Sequence, residues 1–225
     1  MVYTIANTFR KNTIMSPSDP QDTLPLSPTE IHNISVYCLC ITFCPLIPIP
    51  FVDFFLEPWL AGKMLQPFVK DFSQRKLFTD TRGISCMGCL GATILWPILK
   101  LITTLRFFLQ FKTYLRSFQY WFYKAYIVHK SMQIHSNILQ KEGNMKKFAI
   151  DVDNFLQQDN TFSIFTKHCG TWIQNSPLRS IQHMFRSLPP ENPNISTPTH
   201  NVFLNLLENT EFIDQWMDET LAKYS

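Results

Sequence analysis

Five cysteines are the first residues whose type and spacing permit site chemistry. They stand as Cys38, Cys40 and Cys44 in "CLCITFC" and as Cys86 and Cys89 in "CMGC". The second pair has the spacing of half a zinc or iron–sulfur site, and it also suits a redox pair. Acylation beside a membrane is a third alternative. Because the first two cysteines point about 200° apart on a helix and free cysteine is usually buried, we expect all five to be structural, with no metal and no cofactor.

Two further patterns offer catalytic or ion-binding groups. "KHCGTW" places His168 beside Cys169, but sequence neighbours rarely face each other as a nucleophile and its base must. "DVD" supplies Asp151 and Asp153, oxygen ligands of the kind a divalent ion takes, yet the start of a solvated helix is the simpler interpretation. The sequence contains no nucleophile elbow, P-loop, dinucleotide fingerprint or HExxH motif. These observations favour a protein that is not an enzyme.

The most informative functional pattern is a stripe of aromatic residues interleaved with cations, between residues 106 and 130. Its three- and four-residue spacing places the rings on one face of a helix. Aromatic rings favour the membrane–water interface and cations favour anionic headgroups, while a protein partner would accept the same face. The stripe is equally typical of a helix that supplies a core. The predicted membrane or partner contacts are Phe107, Phe111, Lys112, Tyr114, Arg116, Phe118, Trp121 and Lys124.

Composition favours helices and argues against nucleic acid. The 225 residues include 20 Phe but only 6 Gly, which predicts an all-α protein rather than a turn-rich β-sandwich. The net charge of +3 is too small to indicate a nucleic-acid partner. No apolar run follows Arg10 and Lys11, so we expect no signal peptide and reduced thiols.

Two apolar regions, residues 34–56 and 84–111, raise the question of a membrane. A spanning helix needs roughly 20 apolar residues, and "PLIPIP" at 45–50 interrupts the first region. Three interpretations stay open: a pair of spans, a hairpin that dips into the bilayer and returns, and a soluble domain with apolar core helices. The prolines favour the hairpin, because a bend lacking donors is costly in bare lipid. Basic residues flank both regions, so we expect membrane association with those flanks on the cytoplasmic side.

The elements that position these residues follow from caps and prolines. Ser27, Pro28 and Glu30 predict a helix start, and that helix should end before the prolines at 45–50. Pro58 and Pro67 each invite a break or a new first turn, so residues 51–78 are predicted to form two short amphipathic helices. A second apolar helix, kinked, should continue through the aromatic stripe to a stop at "EGN" (142–144).

The proline segment should form a bend between two helices, the second beginning near Phe51. We expect Ile47 and Ile49 to pack on the glycine-rich start of the second apolar helix, near Gly88 and Gly91, because small residues allow close approach.

Three regions result: a flexible arm (1–27), an apolar, membrane-associated helical region (28–143) and a soluble helical module (144–225). The module's predicted helices are 145–157, 161–173, 177–188 and 200–223. Its inward face should comprise Phe203, Leu206, Leu207, Phe212, Ile213 and Trp216.

The sequence thus predicts a non-enzymatic, membrane-associated helical scaffold or partner-binding subunit. The alternative is an enzyme acting on a lipid or other apolar substrate, in a pocket between the two apolar regions.

Overall fold

The computed structural model describes residues 26–44, 52–79, 111–141, 143–169, 182, 186, 188 and 202–224. These residues form α-helices and no strand, which confirms the predicted all-α class. In chain order the helices are α1 (Pro28–Phe43), α2 (Val52–Leu65), α3 (Phe72–Thr79), α4 (Phe111–Ile134), α5 (Ser136–Leu139), α6 (Asn144–Leu156), α7 (Asp159–Cys169), α8 (Val202–Glu208) and α9 (Glu211–Ala222).

Helix α1 begins where its sequence predicts. The Glu30 amide donates to Ser27 Oγ at 3.3 Å, and the Ser27 amide donates to Glu30 Oε2 at 2.8 Å. This reciprocal capping box, with Pro28 at the first helical position, satisfies amides that would otherwise lack partners. The helix ends at Phe43, as expected. The predicted bend at 45–50, the glycine-rich segment near Gly88 and the kink that follows it lie outside the described residues.

The predicted break at Pro58 is wrong, because α2 continues through this proline. A proline inside a helix costs about 3 kcal/mol. Leu60 and Met64 are buried on the opposite side of α2, and Leu65 is buried at its end. Burying each such side chain contributes about 1.5–3 kcal/mol. Packing against α1 and α4 therefore outweighs the local penalty. Pro67, by contrast, lies in the turn that follows α2.

Helix α4 is the centre of the domain. Every side chain from residue 118 to residue 128 is buried, so neighbours cover all its faces, with α1, α2, α6, α7 and α9 among them. The predicted uninterrupted helix to Lys141 is wrong in one detail. The chain bends at His135, and the short α5 follows before Gly143 adopts a positive φ of 81°. Nothing in the sequence marks the bend at His135.

The C-terminal helices join the same core. The predicted inward residues Phe203, Leu206, Leu207 and Ile213 are buried, and Phe212 and Trp216 pack partly buried against them.

The last predicted helix, 200–223, is divided in two. Thr210 separates α8 from α9, and its hydroxyl donates to the Leu207 carbonyl at 3.0 Å. Such a local side-chain bond offers the backbone an alternative to continued helix.

Aromatic rings connect this C-terminal part to α4. The ring centre of Phe118 lies 6.2 Å from that of Phe165 and 5.9 Å from that of Phe203. Side chains before and after residue 143 therefore belong to one hydrophobic cluster.

Candidate functional site

The structure places the predicted contact stripe mostly inside the domain. Four of its members are buried, namely Phe111, Phe118, Trp121 and Lys124. Among the others, Lys112 and Arg116 are exposed, Tyr114 is half-buried, and Phe107 lies outside the described residues. The rings of the stripe thus build the core around α4, and two cations reach solvent.

Among the described cations of the stripe, Lys124 is the one whose side chain is fully buried. Its ammonium nitrogen donates to Asp153 Oδ1 at 2.6 Å and to the Tyr120 hydroxyl at 2.9 Å. The Tyr120 hydroxyl in turn donates to the same carboxylate oxygen at 2.6 Å. The ammonium also lies 5.3 Å from the Trp121 ring centre, within the range of a cation–π contact. This cluster joins α4 to α6.

The two carboxylates of "DVD" lie within α6 rather than at a solvated helix start, so that interpretation is wrong. Asp153 accepts the bonds from Lys124 and Tyr120, while Asp151 accepts one from the Tyr224 hydroxyl. Both serve as internal hydrogen-bond acceptors. Among the described residues, no cluster of three or more histidine, cysteine or acidic side chains has metal-site geometry.

The cysteines whose side chains the structure describes lie in α1 and at its C-terminal cap. Cys38 and Cys44 are buried and Cys40 is exposed. The Cys38 thiol donates to Met64 Sδ at 3.6 Å. Burial, with a smaller contribution from Cys40, raises the pKa of the Cys38 thiol well above its ordinary value, so this thiol is not a nucleophile at neutral pH. Cys86, Cys89 and the side chains of His168 and Cys169 lie outside what the structure describes.

The exposed cations of α4 line a shallow groove of about 530 Å³ against α7. Lys112 and Arg116 lie over the Phe162 ring, 5.7 and 5.2 Å from its centre. Arg116 also pairs with Asp159. The carboxylate therefore offsets part of the positive charge of this groove.

A different surface, on α2 and α3, carries the most exposed aromatic rings of the described residues. Phe55 is 77% exposed, Trp59 57% and Phe72 73%. Phe55 and Trp59 are one helical turn apart, on the side of α2 opposite Leu60 and Met64, which are buried. The four-residue spacing is visible in the sequence, but the spacing alone does not tell which side of α2 meets the core.

Cations surround these rings. Lys63, Lys70 and Lys76 are exposed and Arg75 is half-buried. We call this set of seven residues, Phe55, Trp59, Lys63, Lys70, Phe72, Arg75 and Lys76, the α2–α3 face.

Three acidic residues reduce its charge: Asp53 and Glu57 in α2, and Asp71 immediately before α3. Asp71 accepts from the Ser73 amide at 2.9 Å and so caps α3, and Glu57 is half-buried. Four cations against these three acids leave an excess of one positive charge.

An open groove of about 500 Å³ runs between the two helices of this face. The Arg75 guanidinium lies 5.7 Å from the Phe72 ring centre, and it donates to the carbonyls of Gly62 at 3.4 Å and Lys70 at 3.5 Å. These contacts fix the arginine along the groove. The lining residues are Pro58, Trp59, Gly62, Lys63, Gln66, Phe72, Arg75, Lys76 and Thr79.

The described fold and face define an all-α protein with a basic, aromatic surface on two adjacent helices. Comparison with known protein families, curated proteins and solved structures finds no match to the chain. Within the described ranges, no helix has both the length and the apolarity to cross a bilayer.

Proposed function

We propose that the protein is a non-enzymatic helical scaffold that attaches peripherally to an anionic membrane surface through the α2–α3 face. The observation that carries the proposal is the exposure of Phe55, Trp59 and Phe72 among four cations. The anionic lipids of a cytoplasmic leaflet are the chemistry that complements such a face. The apolar face of α2, which packs on α1 and α4, holds the rings outward.

The magnitudes favour reversible attachment. Water-exposed aromatic rings that enter the headgroup region each gain about 1.5–3 kcal/mol when fully buried, and partial burial gives less. Each Lys or Arg near an anionic surface adds about 1 kcal/mol, and salt screens this contribution. Three rings and four cations together suffice for binding that high salt weakens.

The internal charges support a scaffold rather than an enzyme. Asp153 accepts from Lys124 and Tyr120, and Asp214 accepts from Tyr126. These ionisable groups connect helices to one another. Catalytic groups, by contrast, commonly converge on an open cavity.

Vesicle co-sedimentation tests the proposal. We expect the full-length protein to sediment with vesicles of phosphatidylcholine containing phosphatidylserine, and to stay in the supernatant with phosphatidylcholine alone. The Phe55→Ala/Trp59→Ala variant should lose most of this binding. Ile150→Ala is the matched control, because Ile150 is an exposed apolar residue on α6, which contributes no residue to this face. Equal binding of the double variant and the control would refute the proposal. Failure of the wild type to bind anionic vesicles would instead favour a protein partner for this face.

A further inference from the structure

We infer that the groove between α2 and α3 binds the phosphate group of a membrane lipid, with a preference for a phosphomonoester headgroup. This inference rests on the proposed function and names the lipid chemistry that the face would recognise. Its starting point is Arg75, which lines the groove together with Lys63 and Lys76.

Arg75 is oriented by its surroundings and retains unused donors. Two of its guanidinium nitrogens make long bonds to backbone carbonyls, at 3.4 and 3.5 Å. The remaining nitrogen, Nε, is buried and has no hydrogen-bond partner among the described residues. Because Nε is closed to solvent, phosphate oxygens would bind the terminal nitrogens. A guanidinium has five N–H donors, and the two bonds to backbone carbonyls use two of them. An anionic oxygen is the acceptor that a guanidinium binds best.

The lining of the groove is selective for anions. It contributes Lys63, Arg75 and Lys76, and none of its nine described residues is acidic. The side-chain amide of Gln66 supplies a neutral donor beside the three cations, while the Thr79 hydroxyl donates to the Lys76 carbonyl at 3.3 Å. A phosphodiester carries a single negative charge, whereas a phosphomonoester carries about −1.5 to −2 at neutral pH and has three acceptor oxygens. Three cations around one groove therefore favour the phosphomonoester.

The neighbouring rings place the source of this phosphate in a membrane. Trp59 and Phe72 line the groove and are themselves exposed. A soluble phosphate would leave both rings in water. A lipid whose headgroup occupies the groove would bring its glycerol and acyl chains against them, because both lie at the same opening.

The experiment compares vesicles matched in surface charge. One set contains phosphatidic acid, a phosphomonoester, and the other phosphatidylglycerol, a phosphodiester, both in phosphatidylcholine. We expect the wild type to bind phosphatidic acid about tenfold more tightly, the effect of roughly one charge-assisted hydrogen bond. Arg75→Gln should abolish this preference and retain weaker binding to both vesicles. Arg116→Gln is the matched control, an arginine of the α4–α7 groove, and should behave as wild type.

Each other outcome is decisive. Equal wild-type binding to the two vesicles overturns the phosphate site and leaves the membrane proposal intact, whereas no binding to either overturns both. Calorimetric titration with inorganic phosphate distinguishes a lipid headgroup from free phosphate as the ligand of the groove. Binding of free phosphate that Arg75→Gln removes, without any vesicle preference, would overturn the lipid assignment.

Circular dichroism checks the fold of each variant. If Arg75→Gln fails to fold, Lys63→Gln, at an exposed side chain, should lower the preference severalfold, and an unchanged preference there refutes the inference.

Discussion

The ammonium nitrogen of Lys124 lies 2.6 Å from Oδ1 of Asp153, and the lysine side chain of this pair is fully buried. Taking both charges out of water costs nearly as much as their attraction returns. The pair therefore contributes little net stability compared with apolar residues of the same size. The pair instead fixes the position of α4 relative to α6, because these helices pack favourably only where the two charges meet.

Removing one partner of this pair should strongly lower the stability of the fold. Asp153→Ala leaves the buried Lys124 ammonium without its carboxylate, and we expect the free energy of unfolding to fall by about 3–5 kcal/mol. Asp159→Ala, at the exposed pair with Arg116, is the matched control and should cost about 0–1 kcal/mol. Urea denaturation followed by circular dichroism measures both. Similar losses in the two variants would show that Lys124 reaches water in solution.

Local signals explain which parts of the fold the sequence predicts. The capping box at Ser27 and Glu30 needs only residues close in the chain, and it is present as predicted. The break expected at Pro58 fails because Leu60 and Met64 gain more from tertiary packing than the proline costs. The local cost of a proline in a helix does not indicate how much apolar surface the neighbouring residues bury.

The same reasoning explains the site. The aromatic stripe and the pair Phe55 and Trp59 share one sequence pattern, rings at helical spacing beside cations. Most described rings of the stripe face the core, while Phe55 and Trp59 face solvent. Periodicity identifies a face of a helix, but the partners that cover it come from distant parts of the chain. Lys124 shows that polarity does not identify the exposed residues either, since this charged side chain is fully buried and pairs with Asp153.

Two glycines should respond in opposite directions to the same substitution. A Cβ atom added to Gly62 or Gly143 would meet nothing within 4 Å. Gly62 lies inside α2, so Gly62→Ala should raise stability by about 0.5–1 kcal/mol. Gly143 has φ of 81°, a conformation that costs other residues about 1–2 kcal/mol, so Gly143→Ala should lower it. Thermal melts measure the two signs, and a shift in the same direction for both would contradict this account.

Three groups that link helices favour their protonated forms in the folded state. The Tyr126 hydroxyl donates to Asp214 at 3.1 Å, and burial raises the pKa of Tyr126 above its ordinary value of 10.0. Lys130 lies 2.8 Å from Asp214, and although partial burial lowers its pKa, the hydrogen bond and charge of Asp214 raise it overall. Burial and the hydrogen bond to Asp151 raise the pKa of Tyr224.

These raised values predict loss of stability at alkaline pH. A group with a higher pKa when folded contributes its full stabilisation below its unfolded pKa, and loses it as pH rises through the folded value. The free energy of unfolding should therefore be flat with respect to these groups up to about pH 9 and decline above about pH 10. Urea denaturation at a series of pH values measures the slope. Tyr126→Phe and Tyr224→Phe should each make the decline shallower, and an unaltered slope in both would contradict the assignment.

Residues 144–225 should not fold without α4, although the sequence alone predicts them as a separate module. Tyr123 of α4 packs edge-on against Phe165 and Phe212, with ring centres 6.0 and 5.8 Å apart, and Phe122 lies 6.0 Å from Phe203. Returning three phenylalanine rings to water costs about 5–9 kcal/mol in total, comparable with the whole stability of a typical domain. We expect a fragment of residues 144–225 to show little helical circular dichroism and no cooperative melt. The full chain under the same conditions is the control, and a cooperative transition of the fragment would establish it as an independent domain.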